Sequence, residues 1–221
     1  MTPTPNKKPP ARTYGGLSEA ERILERRERF LEAGLEVFGT VGLRGATVRV
    51  LCKTAGLTER YFYESFADTE ALFCAVYEKQ SLILRDYLMA GLQNLPQELD
   101  ERTPAALSLY FTAMRNERMV RVVHVESVMG SERVNRMHQS YTRIRSDITA
   151  MLIRSDNPGL AVSDDFIAAL VLAINGACNA MAVQWMLDGY RIPQETMVQS
   201  GTLMLLGTMR ELRALPRTPA S

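Results

Sequence analysis

Thr47 and Thr58 each stand directly before a short helix-compatible run, one reaching to about Thr54 and the other to about Ser65. A hydroxyl at such a position caps the helix. Together with the unpaired N–H groups of the first turn, it makes a natural phosphate clamp. Arg44, Arg49 and Lys53 place cations around the first run, and Arg60, Tyr61 and Tyr63 can point outward from the second. A guanidinium can pair with guanine O6 and N7, and hydroxyls can hold phosphate oxygens. The chemistry on offer is recognition of a phosphate backbone and base edges.

Positioning those groups requires two short helices at a fixed angle. Between them lies Ala55-Gly56-Leu57, where glycine supplies the positive φ that a tight corner needs. Leu51 and Cys52 should face the turn from the first helix, and Leu57 and Phe62 from the second. The small Cys52 allows close approach. Two such helices cannot bury a core alone, so the helices before and after must complete it. This is the form of a helix-turn-helix, whose second helix is built to enter the major groove.

Composition narrows the alternatives. The chain has 221 residues with globular proportions, 46% hydrophobic and 23% charged, which argues against disorder or a fibrous repeat. Net charge is only +1, so any nucleic-acid affinity must come from a local patch. Residues 1–66 carry +3 and the remainder −2, a small bias of the right sign. Cys52, Cys74 and Cys178 are odd in number and widely spaced, which fits a reducing, cytoplasmic compartment and neither a disulfide framework nor a zinc site. Met1 to Gly16 is polar and Pro-rich, unlike a secretory signal.

The pattern along the chain is all-α, about nine helices with no strand alternation. Residues 1–17 are expected to be a flexible arm, in which Lys7, Lys8 and Arg12 read as solvated. Residues 18–67 form the helix-turn-helix domain, with the motif at about 46–65. Residues 68–215 form a second helical domain, and 216–221 a loose tail. Ser18 with Glu21 is a capping box opening the first helix, whose apolar stripe is Ile23, Phe30, Leu31, Leu35 and Phe38, with Arg22, Arg26 and Arg29 outside. A long helix starts at Asp68, Pro104 opens the next, and 115–129 continues helical. Ser131 and Ser163 cap two more, and Pro193 starts the last.

Residues Ala168–Leu187 carry no charge and could span a bilayer by length. Their Asn and Gln residues and acidic flanks read instead as a helix covered on every side in a bundle, in part by a second subunit.

Residues from about Ile23 to Gln80 resemble the N-terminal domain of TetR-family transcriptional regulators. The resemblance rests on Phe38 with Gly42, Ala46-Thr47-Val48, Ala55-Gly56-Leu57-Thr58, Phe62-Tyr63 with Phe66, and then Glu70 and Leu72. It implies an all-helical homodimeric repressor that binds a palindromic operator on double-stranded DNA and is released by a small ligand. Carried over by position, Thr47, Thr58 and Tyr63 contact phosphates while Arg60 and Tyr61 approach bases. Where the family usually has a Lys at the start of the fourth helix, this chain has Thr69, leaving at most a hydroxyl contact. Glu59 and Glu64 on the recognition helix throw the affinity onto Arg44, Arg49, Lys53 and Arg60.

The second half is rich in Met and aromatic residues, which by composition is an ordinary core and by the resemblance implies a pocket. Phe111, Met114, His124, Tyr141, Asn175, Asn179 and Trp185 are the candidate ligand contacts. Arg115, Arg118, Arg121, Arg133, Arg136, Arg143 and Arg145 form a run that could attract an anionic ligand but reads first as a solvated face. Ala169, Ala173, Gly176, Ala177 and Ala180 form a small-residue stripe on the penultimate helix, and Gly201, Met204 and Thr208 a narrow face on the last. These should pair with their symmetry mates in a four-helix dimer bundle.

An enzyme is not expected. His124 and His138 have no metal-ligand spacing, no serine sits in a nucleophile elbow, and Gly39, Gly42 and Gly45 follow no strand; no metal or cofactor is expected. The expected function is a ligand-released repressor with no membrane role. The alternative is a helix-turn-helix regulator controlled by a partner protein, which a sealed core near His124 and Trp185 would favour.

Overall fold

The computed structural model describes residues 18–128 and 130–217. The basic arm, with Lys7, Lys8 and Arg12, therefore lies outside the described residues, as does the end of the tail. Ten α-helices run in order: α1 (Glu19–Phe38), α2 (Gly42–Gly45), α3 (Val48–Ala55), α4 (Glu59–Ser65), α5 (Thr69–Leu92), α6 (Leu99–Ala113), α7 (Glu117–Val120), α8 (Glu132–Asp156), α9 (Asp164–Leu187) and α10 (Gln194–Ala214). Between α7 and α8 the helix widens into a π-helical turn, Arg121–Val125, and then tightens into a 3-10 turn, Glu126–Val128. Among the described residues there is no strand, only an isolated bridge between Leu160 and Arg217.

Local chemistry explains most of the helix starts. Ser18 and Glu21 form the reciprocal capping box, Thr47 accepts from the Val50 N–H at 3.3 Å, and Ser163 accepts from the Phe166 N–H at 3.1 Å. Ser131 has extended N-cap backbone, but its hydroxyl donates to Glu70 at 2.9 Å instead of capping α8. Pro104 does not open its helix. It lies inside α6 as the sixth residue from Leu99, where its missing N–H forfeits the helical bond to Asp100 O.

A continuous core links the two halves of the chain. Phe30, Val37 and Phe38 of α1 and Leu51 and Phe62 of the helix-turn-helix pack with Phe73 and Val76 of α5, and onward to Met114, Val122 and Met186. Phe30 meets Phe62 edge-on at 5.4 Å, which fixes α1 across the motif. The first turns of α1 project past this core, leaving Ile23 exposed despite its place in the apolar stripe. A second cluster around Phe111, Trp185 and Met197 joins α6, α9 and α10. Pro216 and Arg217 are held against the turn after α8: Pro216 accepts from the Ala161 N–H, and Arg217 donates to Pro158 O at 3.0 Å.

Candidate nucleic-acid interface and effector cavity

The corner between α3 and α4 has the expected backbone. Gly56 adopts φ +63°, and the Leu57 N–H closes back on Cys52 O at 3.0 Å. Arginines of α1 brace this corner. Arg29 donates to Ala55 O at 2.7 Å, and Arg27 donates to Ser65 O at 2.8 Å while lying over the Phe66 ring. Arg26 sits 4.4 Å over the Tyr61 ring and 3.8 Å from Glu64. Arg26 and Arg29 thus fasten the motif rather than form an idle outer face. Arg22, Arg26 and Arg29 share one helical face by spacing, and that was the available signal.

Arg44, Thr47, Arg49, Lys53, Thr58, Arg60 and Tyr63 are all exposed. Thr58 has N-cap backbone but makes no side-chain cap bond, so its hydroxyl and the first N–H groups of α4 face outward together. Arg60 is paired at 3.0 Å with Glu64, which offsets one of the two acids on α4. Tyr61 is half-buried beneath Arg26, and Thr69 is half-buried as the first residue of α5.

The link to the second half is polar and specific. Glu126 accepts from the Leu43 N–H at 2.8 Å, beside Gly42 at φ +77°, where a Cβ would stand 2.9 Å from the same carboxylate. Arg118 pairs with Glu36 at 2.8 Å and Arg133 with Asp68 at 3.4 Å. Arg121 and Arg136 pair within their own helical turns, and Arg115 lies over the Trp185 and Tyr190 rings.

In the second half a half-open cavity of about 560 Å³ lies between α5, α6, α8, α9 and α10. Of the expected ligand contacts, Tyr141 and Asn175 line it. Phe111 and Trp185 are instead stacked edge-on at 5.8 Å in the core, and Met114 is fully buried. His124 is 7% exposed, with Nε2 unpartnered. Burial first, then the nearby charges of Arg145 and His138, pull its pKa down to about 3. Asn179 is half-buried with an unpartnered Oδ1. Burial, then Glu78, which accepts from its hydroxyl at 3.1 Å, push Tyr141 up to about 12.

Sequence reasoning missed Arg145, Thr149 and Cys178, which line the cavity beside Asn175. Arg145 is not on the solvated arginine face. It stands four residues after Tyr141 and four before Thr149, on the side of α8 that lines the cavity, a position lost among seven arginines read together.

On α9, Ala169, Ala173, Gly176 and Ala180 are exposed beside Leu172, which is 72% exposed, while Ala177 is half-buried. A Cβ on Gly176 would meet nothing within 4 Å. On α10, Leu203, at 79%, and Gly207 are exposed one turn apart, while Met204 and Thr208 are half-buried. Gly201 faces the other way, buried where a Cβ would stand 3.1 Å from Leu107 of α6. By length and composition alone α9 could cross a membrane, and it is the one such helix among the described residues.

Residues 30–76 match the sequence model of bacterial regulatory proteins of the tetR family, so the resemblance read from the motif is shown. The described residues have the fold of a TetR-family transcriptional regulator, an N-terminal helix-turn-helix followed by a helical domain. A protein of Pseudomonas aeruginosa PAO1 assigned as a transcriptional regulator superposes with a TM-score of 0.74 at 16% identity, covering 90% of this chain and 100% of that one. A Rhodococcus protein assigned to the TetR-family regulators gives 0.66 at 17%, covering 84% and 99%. The transcriptional regulator FadR of Bacillus subtilis, solved with stearoyl-CoA, gives 0.66 at 15%, covering 80% and 96%. No curated protein matches in sequence.

Proposed function

We propose that this chain is a cytoplasmic transcriptional repressor that binds a palindromic operator as a homodimer and leaves it when a small, largely apolar effector occupies the cavity. The observation that carries the reading is the outward face of α3 and α4. There Thr47, Arg49, Lys53, Thr58, Arg60 and Tyr63 stand exposed around a braced corner, with an unbonded Thr58 hydroxyl at the helix start. Exposed cations and helix starts of this kind suit phosphate contacts, and Arg60 reaches a base edge by releasing Glu64. Tyr61 contributes from beneath Arg26 through the packing of α4, and Thr69 offers a hydroxyl.

Dimerisation is supported by the bare apolar side of α9 and α10, with Ala169, Ala173, Gly176, Leu172 and Leu203 outward. Such a face is costly in water, and two copies would cover one another. Effector control is supported by the cavity and by one short segment that touches both ends. Val123 lines the cavity, and three residues on, Glu126 holds the backbone of Leu43 beside the motif. FadR of Bacillus subtilis, similar in fold and solved with stearoyl-CoA, supports an effector with a long apolar part. The cavity supports effector control, while the closed packing at His124 and Trp185 is the feature that control by a partner protein would favour.

The test is selection of genomic fragments by the purified protein, followed by footprinting. A protected palindrome with half-sites about one helical turn apart, 34–36 Å, supports the reading. Enrichment of no fragment at low salt overturns it.

A further inference from the structure

The cavity's volume of about 560 Å³ suits a small-molecule ligand, and its walls are mostly aliphatic, among them Leu88, Met89, Leu109, Ile148 and Leu152. Three arginines nevertheless reach its lining: Arg85, Arg102 and Arg145. Two carry their own counter-charge, since Arg85 pairs with Asp86 at 2.7 Å and Arg102 with Asp156 at 2.5 Å. Arg145 has no ion pair among the described residues, and its buried Nε has no hydrogen-bond partner. Arg145 is half-buried, and a guanidinium Nε shut off from solvent without an acceptor is an unmet donor, which proteins rarely keep without use.

A second unpaired donor stands close by. Thr149 Oγ1, one turn along α8, is 3.1 Å from the Arg145 backbone oxygen and 3.2 Å from Asn175 Oδ1 on α9. The Nδ2 of that same Asn175 is buried and has no acceptor. Facing helices therefore present a cation and an amide donor, linked through Thr149, with no oxygen among the described residues to receive Arg145 Nε or Asn175 Nδ2. The reach of the charge agrees with this placement. Arg145 helps to hold down His124 and His138, and it counters the upward shifts of Tyr77, Tyr110 and Cys178.

The geometry points to an effector with one aliphatic chain and a single anionic head group, whose oxygens accept from Arg145 Nε and Asn175 Nδ2 while the chain lies among the leucines. A neutral hydrocarbon would leave both donors unsatisfied, and a cationic amphiphile would be repelled. The inference rests on the effector-controlled reading above and names the ligand class of that cavity.

The test is calorimetric titration of the full-length protein with dodecanoate and with dodecanol, both below the concentrations at which they aggregate, beside an operator-release assay. Wild-type protein should bind dodecanoate about tenfold or more tightly than dodecanol, as expected for a charge-assisted hydrogen bond. Arg145→Gln should erase that preference while still binding dodecanol as wild type does, which separates head-group loss from misfolding. Arg145→Lys should restore part of it. Equal binding of the two compounds by wild type, or a preference that survives in Arg145→Gln, overturns the head-group assignment and leaves the cavity reading standing. Binding of neither compound overturns both. Dodecanoate held through Arg145 without release of operator supports the site and overturns the release step instead.

Discussion

Acidification should destabilise this protein through His124. In the unfolded chain its imidazole takes a proton at its ordinary value of 6.5, whereas in the folded chain burial, with Arg145 and His138 nearby, delays protonation to about 3. Across that window the unfolded state binds more protons, so stability falls as pH drops through 6.5 and levels off below 3. Lowering the pH from 7 to 5 should thus cost about 2 kcal/mol from this one group. His138, lowered in the same direction, adds a loss of the same sign. The assay is urea denaturation at pH 7, 6 and 5, at fixed protein concentration because a dimer's stability depends on it. His124→Leu keeps the burial and removes the proton site, so its loss between pH 7 and 5 should be smaller than wild type's by about 2 kcal/mol. Parallel losses in the two proteins would refute the reasoning, since His124 would then titrate as freely folded as unfolded.

Three further outcomes follow from contacts elsewhere in the chain. Gly56→Ala forces a side chain into left-handed backbone and sets a Cβ 3.0 Å from Arg29 Nη2. It should cost about 1–2 kcal/mol in urea denaturation, and wild-type stability would contradict the bracing role of that corner. Glu126→Ala strips the acceptor from the Leu43 N–H and should cost about 1–3 kcal/mol locally, read as faster hydrogen exchange at that amide. Unchanged exchange there would mean that Glu126 does not tie the two halves together. Leu172→Glu puts a charge on the bare face of α9 and should give a monomer in sedimentation at micromolar concentrations, whereas an undisturbed dimer would move the interface elsewhere.

Features that depend on neighbouring residues were legible in the sequence. The capping box at Ser18, the caps at Thr47 and Ser163 and the positive φ of Gly56 are set within a turn or two of chain, and they stand where the pattern puts them. What failed to show depends on packing between distant segments. Ser131 has the cap geometry, yet Glu70, far away in sequence, takes its hydroxyl. Ile23 has helical periodicity but lies beyond the end of the core it was expected to join. Phe111 and Trp185 have the chemistry of pocket walls, but each fills the other's space in the core. Arg145 looks like its six neighbours, and only the inward turn of α8 separates it from them. Gly201 has the small size of a dimer contact, and Leu107 on α6 uses that smallness within the subunit instead.

Sequence-specific DNA binding through α3 and α4 can be measured by titrating the footprinted fragment and a scrambled copy of it with the purified protein at one physiological salt concentration. The intact fragment should be preferred about a thousandfold or more, with Arg49→Ala and Lys53→Ala weakening binding to both. Equal affinity for the two fragments, or binding that ignores both substitutions, would contradict sequence-specific recognition by these helices.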